Sequence, residues 1–95
     1  MPTAERARQT FWVRIYEDTI TEFMTHRQGW VDFSDIDNAA LLTEYGGQRG
    51  FFIVALDRLV KRGILNCRSQ PGYEYVKNHI YTSYSMDPLQ KLAVL

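Results

Sequence analysis

Apolar residues recur at spacings of three and four from Ala4 through Ala7, Phe11, Trp12, Ile15, Tyr16, Ile20, Phe23 and Met24. That periodicity predicts a first helix over residues 4–27, with Thr3 as its N-cap and Gly29 as its stop. The short alternating stretch WVDF, residues 30–33, suits a strand. Ser34 then caps a second helix with Asp35 and Asp37 in its first turn, where the helix dipole favours acids. Ile36, Ala39, Ala40 and Leu41 give that helix its inward face, and Gly46-Gly47 closes it. A third helix follows over about residues 48–62, with Phe52, Ala55, Leu56, Leu59 and Val60 as its buried stripe. Gly63 stands at its C′ position. Two strands are predicted next, Ile64–Arg68 and Tyr73–Lys77, joined through Pro71-Gly72 as the central pair of a type II turn.

The resulting order is helix, strand, helix, helix, strand, strand. Leu41-Leu42, the Gly46-Gly47 turn, and the spacing of Phe52, Leu56, Leu59 and Gly63-Ile64-Leu65 are the residues that carry a resemblance. Over about residues 10–78 the chain resembles the winged helix-turn-helix superfamily. The resemblance implies an α+β fold: three helices with a small antiparallel sheet and a wing, in which the strand after the first helix pairs with the wing. Residues 1–78 are then the domain and residues 79–95 a C-terminal extension. The chain departs from the pattern in three places. Leu42 stands where the two motif helices usually meet through a small residue. Gly46, Gly47 and Gly50 crowd the turn. Phe51 and Val54 lie on the face expected to enter a groove, where they offer only apolar contact, for example to a thymine methyl.

The length of 95 residues makes one domain the default. Net charge is zero, but the charges are not evenly spread. Residues 17–45 hold seven acids and one base, a balance of −6, whereas residues 46–77 hold six bases and two acids, a balance of +4. A neutral protein with one basic half can bind phosphates through that half. The single cysteine, Cys67, excludes an internal disulfide, and a cytoplasmic setting is expected. No apolar run is long enough to span a bilayer. An enzyme is not expected. His26 and His79 are far apart and belong to no metal-ligand spacing, GGQRG lacks the context of a phosphate loop, and no acid pair is constrained for acid–base work. No cofactor is expected.

Double-stranded DNA is the expected partner. Gln48 and Arg49 open the recognition helix, where glutamine suits adenine and arginine suits guanine. Phe51 and Val54 share the groove-facing side. Arg58, Lys61 and Arg62 come within reach of the backbone, and Arg68 and Gln70 mark the wing over about residues 64–77. Against this, Asp35 and Asp37 would repel phosphates at the start of the second helix. In the tail, Asp87-Pro88 favours a helix start. Tyr84, Leu89, Leu92 and Leu95 are expected to form a homodimer contact, so removing residues 79–95 should weaken self-association. The expectation is thus a small DNA-binding protein, a transcriptional regulator or a viral or mobile-element architectural factor. The alternative is a winged-helix protein-interaction module, an adaptor or an inhibitor of a host complex.

Overall fold

The computed structural model describes residues 4–41 and 49–87. Three helices, α1 (Ala4–Thr25), α2 (Phe33–Leu41) and α3 (Arg49–Lys61), pack with three short strands, β1 (Val31–Asp32), β2 (Asn66–Ser69) and β3 (Thr82–Ser85). The sheet is antiparallel in the order β1-β3-β2. Val31 faces Tyr84 and Asp32 faces Ser83; on the other side Asn66, Cys67, Arg68 and Ser69 face Ser85, Tyr84, Ser83 and Thr82. Three helices with a small three-stranded antiparallel sheet make an α+β fold, compatible with a winged helix.

The helical periodicity is realised where it is buried. Val13, Tyr16, Ile20 and Met24 line one stripe of α1, and Phe52, Ala55, Leu56 and Leu59 line one stripe of α3. Val31, Phe33, Ile36, Leu65 and Tyr84 complete a single core. The first turns of α1 project beyond it. Ala4, Ala7 and Phe11, which begin the apolar periodicity, are exposed, Phe11 by 59%. The helix ends at Thr25, two residues short of the predicted end, and Gly29 takes the left-handed conformation, φ +74°, in the following turn. Gly63 closes α3 as expected, at φ +76°. Its N–H donates to the Val60 carbonyl at 3.0 Å and the Ile64 N–H to the Leu59 carbonyl at 3.0 Å, the paired bonds of a Schellman motif.

Three predicted elements are corrected. The strand at 30–33 shortens to Val31–Asp32, and α2 begins at Phe33, so Ser34 lies inside the helix rather than capping it. The Pro71-Gly72 turn forms: the Tyr73 N–H donates to the Gln70 carbonyl at 3.0 Å, with Gly72 at φ +89°. It does not lead into a strand. Tyr73–Lys77 makes a second turn, closed by the Val76 N–H on the Tyr73 carbonyl at 3.0 Å. The alternating aromatics there do not build a strand, for Tyr75 is 99% exposed. The returning strand is β3, within residues assigned to the extension. Asn78 ends the loop: its side-chain oxygen accepts from the Ile80 N–H at 3.1 Å and starts a 3₁₀ turn, His79–Tyr81. The wing therefore spans residues 66–85, with a 12-residue connection between Ser69 and Thr82. The Gly46-Gly47 turn, Leu42, Thr3 and the Pro88 helix start lie outside the described residues.

Candidate nucleic-acid interface

Because α3 buries Phe52, Ala55, Leu56 and Leu59, its opposite side is left to Gly50, Asp57 and Lys61, with Val54 half-buried beside them. No described residue comes within 4 Å of the position a Cβ would take at Gly50, so none covers the backbone of α3 there. Gln48 lies outside the described residues, and Arg49 is the first residue of α3. Phe51 and Val54, expected to face a groove, are half-buried and pack against the core, because the core stripe is wide enough to draw in its flanks.

Arg58 and Arg62 turn toward α1 instead of away from the protein. Arg58 Nε lies 3.4 Å from Glu17 Oε1, and Arg62 Nη1 donates to Glu17 Oε2 at 3.0 Å. Glu17 itself is only 8% exposed. Its interhelical role was not legible from its place among the acids of the first half. Arg68 leaves the wing tip to lie over the Trp30 ring, 4.4 Å from its centroid. Gln70 ties the base of the wing: its backbone N–H donates to the Tyr81 carbonyl at 2.9 Å, and its amide reaches the Ile80 and Thr82 carbonyls at 3.3 and 3.4 Å. Tyr73 stacks on Tyr81, centroids 4.2 Å apart. Tyr84, expected at a dimer surface, is 2% exposed and belongs to the core; Leu89, Leu92 and Leu95 lie outside the described residues. Asp35 is exposed at the start of α2, but Asp37 is buried.

Lys61 shares a cleft with Lys77, which was not among the expected DNA contacts. Between α3 and the wing lies a cleft of about 390 Å³, lined by Asp57, Val60, Lys61, Cys67, Lys77, Asn78, His79, Thr82 and Tyr84. His79 links its walls. Nε2 stands 3.7 Å from Asp57 Oδ1, an ion pair when the ring is protonated, and Nδ1 shares a 3.3 Å hydrogen bond with the Tyr84 hydroxyl. His79 thus brings the wing beside Asp57 of α3. Among the described residues no group of three His, Cys, Asp or Glu side chains could hold a metal ion. No described helix is long and apolar enough to cross a membrane. Comparisons of the chain with family models, with curated proteins and with solved structures find no match.

The cleft sets the chemistry of Cys67. The residue is exposed, yet its thiol is pushed above the usual range, first by desolvation and then by the negative charge of Asp57. Burial, then the neighbouring Cys67 and Asp57, likewise hold the Tyr84 phenol in its protonated form. A raised thiol pKa means less thiolate at a given pH and slower alkylation. Cys67 should therefore react with iodoacetamide at pH 8 more slowly than a free cysteine peptide, and Asp57→Asn should speed the reaction. A rate equal to that of the peptide would contradict the assigned environment.

Proposed function

We propose that the protein binds double-stranded DNA through the free side of α3 and the adjoining wing. The observation that carries this reading is the placing of a core-anchored α3, covered by no described residue at Gly50, beside a strand–loop unit that sets Lys61 and Lys77 around one cleft. The winged-helix-compatible topology supports it. Such binding suits a transcriptional regulator or an architectural factor of a virus or mobile element, acting as a homodimer. A protein partner is the second reading. It is favoured by the wing loop, where Tyr73, Tyr75, Val76 and Ile80 are all exposed; an exposed aromatic is the common anchor of a protein interface.

Mobility shift with random duplex tests the two. Affinity should fall steeply between about 50 and 200 mM salt as phosphate contacts release counterions. Arg49→Ala should cost about 1–3 kcal/mol at a specific site and relax preference at one base. Tyr75→Ala should leave duplex binding nearly intact. No binding at low salt would overturn the DNA reading in favour of the protein one.

A further inference from the structure

The contact of Arg58 and Arg62 with one carboxylate has a consequence beyond holding two helices together. The groove between α1 and α3 has a volume of about 400 Å³ and is lined by Thr10, Val13, Arg14, Glu17, Asp18, Arg58 and Arg62. Three arginines thus converge on a polar notch beside the free side of α3. Glu17 takes one N–H from Arg62 at 3.0 Å and faces Nε of Arg58 at 3.4 Å. A guanidinium carries five N–H donors, so these contacts leave most donors of both arginines unused. Both side chains remain about half exposed, at 47% and 49%. Arg62 follows the end of α3 and its backbone N–H donates to the Arg58 carbonyl at 3.0 Å, so the two side chains stand one turn apart and their forks open toward the same space.

A carboxylate held by two guanidiniums fixes the direction of both. One arginine would suffice to pair Glu17. The second arginine, together with Arg14 and the Thr10 hydroxyl, makes an array of donors set apart by fork geometry for a tetrahedral oxyanion. Charge favours the same occupant: three arginines against Glu17 and Asp18 leave a balance of +1, and the Glu17 charge is already spoken for. We infer that the α1–α3 groove is a phosphate-binding notch, with Arg14, Arg58 and Arg62 as its ligands and Glu17 as the residue that positions two of them. The ligand chemistry is a phosphate oxyanion, either of a nucleic-acid backbone or free in solution. This rests on the proposed DNA reading only for its source. It then names the flank of α3, rather than the free side alone, as a place where a backbone phosphate docks.

Two measurements on the full chain test the inference. The first is duplex binding by fluorescence anisotropy across a salt series for wild type, Arg14→Gln, Arg62→Gln and Glu17→Gln. The second is titration with inorganic phosphate against chloride at matched ionic strength, followed by NMR at the arginine Nε–Hε resonances. Melting curves for each variant establish that it is folded; Arg14 makes no contact with Glu17 that would be lost, so Arg14→Gln reads binding with the least structural cost. Each arginine variant should weaken duplex binding roughly tenfold at low salt and lower the slope of log affinity against log salt by about 1. Glu17→Gln should raise affinity, because the amide oxygen still accepts from the arginines it positions while the negative charge that competes with phosphate is gone. Phosphate should shift the Arg58 and Arg62 signals where chloride does not. Duplex binding that no variant changes, with no phosphate-specific shift, overturns the notch and leaves the DNA reading standing. Phosphate-specific shifts with no duplex binding uphold the notch for free phosphate and overturn the DNA reading. Absence of both overturns both.

Discussion

Deleting residues 79–95 is expected to abolish cooperative folding, whereas deleting residues 88–95 alone should leave every described element in place. The reason is the strand order. Among the described residues β1 pairs only with β3 and β2 pairs only with β3, so removing β3 removes all of that strand pairing at once. It also takes Tyr84 out of the core, together with the buried Ser83 and Ser85. Loss of one buried aromatic side chain costs about 3–5 kcal/mol, and the whole stability of such a domain is about 5–15 kcal/mol. Far-UV circular dichroism and urea melts of the two truncations check this. A cooperative transition in the shorter protein with the wild-type midpoint would mean that β3 is dispensable. The sequence-based expectation that residues 79–95 serve self-association is therefore to be asked of residues 88–95, with the strand left intact.

Phe52→Ala should destabilise the protein by about 3–5 kcal/mol, leaving little or no folded population at 37 °C if the starting stability is near the low end for its size. Phe52 is 1% exposed. Its ring meets Tyr16 of α1 at 5.9 Å and Phe33 of α2 at 5.8 Å, centroid to centroid, so one side chain joins all three helices. Neighbouring Phe51 is only half-buried, and Phe51→Ala should cost clearly less. Urea midpoints at constant m-value give both numbers. A cost below about 1 kcal/mol for Phe52→Ala, typical of a surface site, would show that the core collapses around the cavity or that Phe52 does not anchor the junction.

The parts of this fold that depend on local order were legible in the sequence. The α3 stripe, its end at Gly63 and the Pro71-Gly72 turn follow from helical spacing and from the φ preferences of glycine and proline. β3 was not legible. Thr82–Ser85 reads as small and polar, and three consecutive residues, Ser83, Tyr84 and Ser85, are buried, so no alternation marks it. Its partners lie far off in sequence, Val31 with Tyr84 for instance. Tyr73 and Tyr75 gave the false alternation instead. The candidate site divides in the same way. That Arg58 and Lys61 lie on α3 and Arg62 at its end was readable, but where Arg58 and Arg62 turn depends on how α1 crosses α3 and brings Glu17 beneath them. The core position of Tyr84 and the inward turn of Asp37 were hidden for the same reason: each is decided by a neighbour remote in the chain.

The central position of β3 also sets an order of events. A chain made from its N-terminus has α1, β1, α2, α3 and β2 available before Thr82 emerges, yet no strand pair can form until it does. Contacts of such separation in sequence slow the final step, because closing the loop must come before the sheet rewards it. Until then β1 and β2 both present unpaired N–H and C=O groups. The waiting intermediate is a helical body with two open edges, and a strand from another chain can occupy those edges before the protein's own strand arrives.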